Sequence, residues 1–202
     1  MSLYDAGNVP VYLLPKTMYV CADYELTGLN RFEDKIIEIA HLFGDVNGRI
    51  IGEWETLVNP GRDTGPVEVH GIPTDMVTGA PSFKEIVLDL AAMLDGKILV
   101  SNNNGLDIAA LTRQFDESGM LFTPGKPIDI TDFATDFKFV DMYAEQIEAA
   151  MTRQEVFHRA MPDARLVAEL LPLIVEYTQS HPERVLRFEP CRVLERDFSL
   201  TL

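Results

Sequence analysis

The sequence predicts an α/β fold built on a mixed sheet, and three observations carry that prediction. An apolar run at Met18 to Ala22 is followed by two more strand-like segments joined through Asp45-Val46-Asn47-Gly48, whose Asn-Gly pair is a strong hairpin signal. A capped amphipathic helix then fills residues 82 to 95. After it, the apolar stretch Lys97 to Val100 leads within a few residues into another helical pattern. An antiparallel three-strand start that gives way to strand–helix alternation fits a mixed sheet better than a purely alternating βα chain.

Residues 1 to 16 show no periodicity and are set outside the domain. Met18 to Ala22 is short and apolar throughout, as a central strand buried on both faces should be. Lys35 to Phe43 and Arg49 to Val58 are the next two strands, bringing Ile36, Ile37, Ile50, Ile51 and Trp54 to the sheet. Pro66, Gly71, Pro73, Gly79 and Pro81 punctuate a loop with at most a helical turn near Thr74 to Thr78. Ser82 and Glu85 then form a capping box, and Phe83, Ile86, Val87, Leu90, Ala91 and Leu94 recur at helical spacing until Gly96.

Lys97 to Val100 is the fourth strand, and it runs into Ser101-Asn102-Asn103-Asn104-Gly105. Ile108, Leu111 and Phe115 mark the buried face of the following helix, whose first turn carries Asp107 near the positive end of the helix dipole. Pro127 to Ile130 is a short fifth strand. Thr131 to Phe157 holds no Gly or Pro and reads as helical, with a break near Lys138 to Asp141. The last helix is expected to start at Pro162, a favoured first position, and to bury Leu166, Val167, Leu170, Ile174 and Tyr177. Pro172 cannot donate to the carbonyl of Ala168, so a kink or an early end is expected there. Residues 180 to 202 form a tail with local alternation at 185 to 188 and 191 to 194.

At 202 residues and 47 % hydrophobic, the chain can bury one full core. Its formal charge of -15, from 17 Lys and Arg against 32 Asp and Glu, argues against holding long nucleic acid on a broad basic surface. It is compatible with gripping a few nucleotides through bound metals and backbone N–H groups. Cys21 and Cys191 are far apart in sequence and suggest no disulfide framework. No segment approaches a membrane span and the start has no basic region followed by an apolar stretch, so the expected location is cytoplasmic, with no membrane partner.

The chemistry concentrates in a few acids. Residues i and i+2 of a strand share a face, so Asp23 and Glu25 present two carboxylates together if the first strand continues through them. Two such acids repel, and a divalent cation is the usual remedy. Mg2+ and Mn2+ take oxygen ligands, commonly one or two carboxylates together with substrate phosphate and water. Asp107, His158 and Asp163 follow downstream, the last two five residues apart. Histidine, with an unperturbed pKa of about 6.5, is suited to taking a proton from water and returning it near neutral pH.

In this order the residues resemble the DEDDh 3'-5' exonucleases, the group that includes RNase T and the epsilon proofreading subunit of DNA polymerase III. The matching segments are Asp-x-Glu-x-Thr-Gly-Leu at 23 to 29, Ile-Ile-Glu-Ile-Ala at 36 to 40 and Val-Asn-Pro-Gly at 58 to 61. Val-His-Gly-Ile at 69 to 72, Gly-Ala-Pro-Ser-Phe at 79 to 83 and His-Arg-Ala-x-x-Asp-Ala at 158 to 164 extend the match. The resemblance implies an RNase H-like exonuclease fold over residues 17 to 179, a mixed five-stranded sheet with helices on both faces. It further implies that Asp23, Glu25, Asp107 and Asp163 bind two divalent cations, Mg2+ or Mn2+, with His158 as general base. Thr27, Gly28, Leu29, His70 and Asn103 are then expected around the 3'-terminal nucleotide. The chain departs from the family at Leu26, usually Thr, and at Asn102 and Leu106, usually His and Phe.

The activity so implied is release of nucleoside monophosphates from single-stranded or frayed DNA 3' ends. A polymerase or repair protein is the implied partner. An exoribonuclease uses the same site and differs in its contact to the 2'-OH. A non-catalytic polymerase- or nucleotide-binding module is the reading of another class, motivated by Asn102, Leu106 and the acidic surface. A phosphatase of the haloacid dehalogenase kind would need an aspartate where Glu25 stands.

Overall fold

A computed structural model describes residues 17–153, 159–181 and 189–195. Its centre is a five-stranded sheet in the order β3-β2-β1-β4-β6, from β1 (Tyr19–Leu26), β2 (Ile36–Gly44), β3 (Ile50–Leu57), β4 (Ile98–Ser101) and β6 (Ile128–Asp129). The first three strands form an antiparallel meander, and β4 and β6 run parallel to β1, which is the mixed sheet expected. Strand β1 does continue through Asp23 and Glu25.

Alternation along β1 divides the core. Val20, Ala22, Tyr24 and Leu26 face α3 (Phe83–Leu94) and α4 (Gly105–Glu117), with Leu90, Leu94, Leu111 and Phe115 fully buried against them. Tyr19 and Cys21 face the other side, covered by α8 (Ala160–Ser180) and by α5 (Ile130–Ala134), α6 (Phe137–Met142) and α7 (Ala144–Arg153). Asp23 and Glu25 share the parity of Cys21, and so point toward the α8 side. The expected capping box is present: the Ser82 N–H donates to the Glu85 carboxylate at 2.7 Å.

Several elements differ from expectation for identifiable reasons. The 66–81 segment holds two short helices, α1 (Val67–His70) and α2 (Thr74–Val77). The helical stretch after 130 breaks at 135–136 and at 143, not at 138–141, because Asp136 caps α6 by accepting from the Lys138 N–H at 3.1 Å. Helix α8 begins two residues before Pro162, since the first turn has no intrahelical acceptor for its N–H groups and Pro costs nothing there. It also runs through Pro172 to Ser180. Burial of Leu171, Ile174 and Val175 on the sheet, at about 1.5–3 kcal/mol each, outweighs the roughly 3 kcal/mol of an interior proline.

The 180–202 tail contributes structure of its own. Strand β7 (Arg192–Glu195) pairs antiparallel with β5 (Met120–Thr123), a strand the sequence analysis did not identify, and Cys191 and Val193 enter the core beside Phe115 and Phe122. Cys21 and Cys191 are buried free thiols.

Candidate active site

A cavity of about 620 Å3 opens where the C-terminal ends of β1 and β4 meet the first turns of α4 and α8. Asp23, Glu25, Asp107 and Asp163 all line it, together with Gly28, Leu29, His70, Asn102, Asn103 and Leu106. Carboxylate oxygens of Asp23, Glu25 and Asp163 lie within 4.8 Å of one another. Asp107 stands on the same cavity wall and is 8 % exposed. His158 lies outside the described residues; it immediately precedes Arg159, the N-cap of α8.

The electrostatics follow from crowding acids in a partly dry site. Burial, then Asp107, Asp163, Glu25 and Glu38, hold the Asp23 carboxyl well above the ordinary carboxylate range. Burial and the charges of Asp163 and Glu38 push Glu25 up to about 7, against the opposing pull of the Arg159 guanidinium. Asp107 is likewise pushed up to about 7 by burial, Glu25 and Asp129, despite its place in the first turn of α4. Without a cation these carboxyls resist ionising together near neutral pH. An all-oxygen, anionic donor set of this kind matches hard divalent cations.

One residue that the sequence analysis placed only in a motif, Glu38, underpins the cluster. In the β1–β2 register Glu38 sits opposite Glu25. Its buried carboxylate accepts from the Arg159 Nε at 2.9 Å, from an Arg159 terminal nitrogen at 2.5 Å and from the Ala160 N–H at 2.9 Å. Glu38 thus ties the first residue of α8, and with it Asp163 one turn later, to the middle of the sheet. Nothing in the linear sequence marks this contact, because the partners are more than 120 residues apart.

The expected nucleotide-contacting residues are placed as follows. Gly28 and Leu29 line the cavity, and Leu29 is 89 % exposed. A Cβ on Gly28 would lie 2.6 Å from the Asp34 carboxylate, so glycine there lets the following loop fold back on itself. Thr27 is buried and outside the cavity wall: its hydroxyl donates to Asp34 at 2.8 Å and accepts from the Lys35 N–H. His70 is among the residues lining the cavity, is buried, and has both ring nitrogens engaged. The Ile72 N–H donates to Nδ1 at 3.1 Å, which leaves Nε2–H to donate to the Thr64 carbonyl.

Asn103 adopts φ 51°, a left-handed conformation that asparagine tolerates, and its N–H donates to Asp129. Asp129 accepts from Asn104 and Thr131 as well, and so fixes the loop between β4 and α4 to β6. Asn102, in place of the usual histidine, and Leu106 remain on the cavity wall.

This sheet order, with acids from the central strand and two helix N-terminal turns, defines a nuclease-type domain of the RNase H-like fold. The chain belongs to the RNase T exonuclease family, whose family model matches residues 20–171. It is 29 % identical over 176 residues to the 3'-5' exonuclease DinG of Staphylococcus saprophyticus, a match covering 84 % of this chain and 19 % of that protein. It is 28 % identical over 178 residues to the DNA polymerase III subunit epsilon of Treponema pallidum, covering 79 % of this chain and 77 % of the subunit. The PolC-type DNA polymerase III of Bacillus cereus is 28 % identical over 82 % of this chain and 12 % of its own length. The chain therefore spans only a small part of two of these relatives. In fold it is similar to E. coli exonuclease I in complex with a dA16 oligonucleotide, with TM-score 0.66 and 15 % identity over 82 % of this chain and 44 % of that one.

Proposed function

We propose that this protein is a metal-dependent 3'-5' exonuclease that removes nucleoside monophosphates from single-stranded or frayed DNA 3' ends. The observation that carries the reading is the convergence of Asp23, Glu25 and Asp163 to within 4.8 Å in a cavity that Asp107 also lines. Asp23, Glu25, Asp107 and Asp163 would hold two divalent cations, Mg2+ or Mn2+. Bound there, divalent cations would offset the charge of the four carboxylates and supply Lewis-acid stabilisation to a phosphoryl displacement.

The chain's own residues do the rest. Gly28, Leu29, His70 and Asn103 shape the pocket for the terminal nucleotide, and Thr27 contributes by closing the loop that carries Leu29. Leu29, exposed beside the cavity, would wedge beside the terminal base. His158 serves as general base, taking a proton from the attacking water and returning it to solvent or product. Glu38 and Arg159 hold the segment that joins His158 to Asp163.

The acidic character of the chain supports a division of labour, in which the domain cuts and a polymerase or repair protein delivers the strand. The kinship with epsilon and PolC-type chains supports the same idea. A steady-state assay on 3'-labelled oligonucleotides tests the proposal. Release of labelled mononucleotide only with Mg2+ or Mn2+ is expected; intact oligonucleotide in both metals would overturn it.

A further inference from the structure

The loop that follows β1 presents an unusual combination. Leu29 and Phe32 are 89 % and 78 % exposed, yet the loop around them is tightly held. The Asn30 and Thr27 side of the loop closes on the Asp34 carboxylate at 2.7 and 2.8 Å, and the Phe32 N–H donates to the Asn30 side chain at 3.1 Å. The Asp34 N–H donates to the Asn30 carbonyl at 2.9 Å, and Arg113 from α4 donates to the Asp34 carbonyl. A large aromatic ring held outward on a rigid loop exposes apolar surface that a flexible loop could partly cover.

Phe32 and Arg31 form one wall of a groove of about 430 Å3, whose other walls are α4 and β5. The groove and the catalytic cavity have no lining residue in common, but the same loop and the same helix serve both, with Gly28 and Leu29 on the cavity and Arg31 and Phe32 on the groove. Leu106 lines the cavity, while Ala109, Thr112 and Arg113 on the next two turns of the same helix line the groove. From Leu106 to Thr112 is about 9 Å at 1.5 Å per residue, room for two or three nucleotides at a stacked spacing of roughly 3.4 Å.

The charge also changes here. In a chain of net charge -15, the groove carries Arg31 and Arg113 against Asp116. Lys35 pairs with Glu117, which also pairs with Arg113, and Arg62 donates to the Glu33 carbonyl, so around this loop Arg31, Lys35, Arg62 and Arg113 balance Glu33, Asp34, Asp116 and Glu117.

We propose that this groove is the path by which the single strand enters the active site, with Phe32 stacking a base two or three nucleotides upstream of the scissile bond and Arg31 meeting the adjoining phosphate. The inference rests on the exonuclease reading and adds a strand path to it. Base–aromatic stacking tolerates any sequence, which suits an enzyme that must pass every base in turn.

The test compares wild type, Phe32→Ala and Phe32→Trp on two kinds of substrate. One is thymidine 5'-monophosphate p-nitrophenyl ester, which reaches only the cavity; the other is a series of oligothymidylates of 2 to 12 nucleotides. The penalty of Phe32→Ala should appear only once the substrate is long enough to reach the groove. It should then be about a tenfold rise in KM, largely restored in Phe32→Trp. Fluorescence anisotropy of labelled dT12 in Ca2+ should show the same loss of affinity. Wild-type KM and affinity for dT12 in Phe32→Ala, beside normal ester hydrolysis, would overturn the groove and leave the exonuclease reading standing. Failure of wild type to hydrolyse the ester and the oligomers alike would overturn the exonuclease reading, and the strand path with it.

Discussion

Glu25 and Asp107, both held near 7, set the pH behaviour of the site at the scale of single residues. Because their folded-state pKa values are raised, the metal-free folded protein binds more protons than the unfolded chain between about pH 4 and 7. Their contribution to stability is present below the unfolded values and is lost as pH rises through about 7. A divalent cation needs the ionised carboxylates, so it competes with those protons. Isothermal titration should therefore show Mg2+ binding at least about tenfold tighter at pH 8 than at pH 6, and a pH-independent affinity would contradict the assignment.

Glu38 is the second residue to test. Glu38→Gln keeps the shape but weakens the hold on Arg159 and Ala160, and kcat should fall about 10- to 100-fold, as when supporting residues around a metal site are changed. Metal-ion titration of the same variant would show whether Asp163 has shifted. Asp23 and Glu25 could be read as a pair from their shared strand face, whereas Asp107 and Asp163 joined them only through the family resemblance; all four line one cavity. Glu38 was not legible, since its meaning depends on a strand register and on a helix start more than 120 residues away.

Among the elements, the β2–β3 hairpin and α8 depend on each other. Gly48 has φ +75°, and a Cβ there would lie 3.0 Å from the Leu171 side chain and 3.1 Å from the Pro172 nitrogen. The Asn-Gly signal gave the turn, but only the packed structure shows that the same glycine lets the hairpin sit on the proline turn of α8. Gly48→Ala should lower stability by more than about 1 kcal/mol, from the strained φ and the contact together, as chemical denaturation would measure. Side-chain caps made by Asp129 and Asp136 set where α5 and α6 begin. Apolar periodicity alone does not mark them. Strand β5 is four residues long and its partner lies some 70 residues on, so its local alternation gave no sign of what it pairs with.

For the molecule as a whole, the antiparallel start and the individual helices were legible because strand and helix periods are local properties, while the five-stranded sheet with helices on both faces came with the family resemblance. The separate two-stranded sheet that β7 forms with β5 was not legible. Cys191 and Val193 are buried beside Phe122, the Cys191 N–H donates to the Lys97 carbonyl, and the Val193 N–H donates to Asp95. Truncation after Glu189 should cost about 2–4 kcal/mol of stability, from lost apolar burial at these two residues. Thermal unfolding of the shortened chain checks this, and an unchanged midpoint would show that β7 is dispensable. Among the described residues no helix is long and apolar enough to cross a membrane.

If the carboxylate cluster hydrolyses phosphodiesters from the 3' end, as proposed, Asp23 is indispensable to it. Time-resolved cleavage of a 5'-labelled single-stranded DNA in Mn2+, by wild type and by Asp23→Ala, tests it directly. Wild type should give a ladder shortening one nucleotide at a time from the 3' end, slowed at least about a hundredfold in the variant. A ladder of equal rate in Asp23→Ala, or full-length DNA with wild type that demonstrably binds Mn2+, would contradict it.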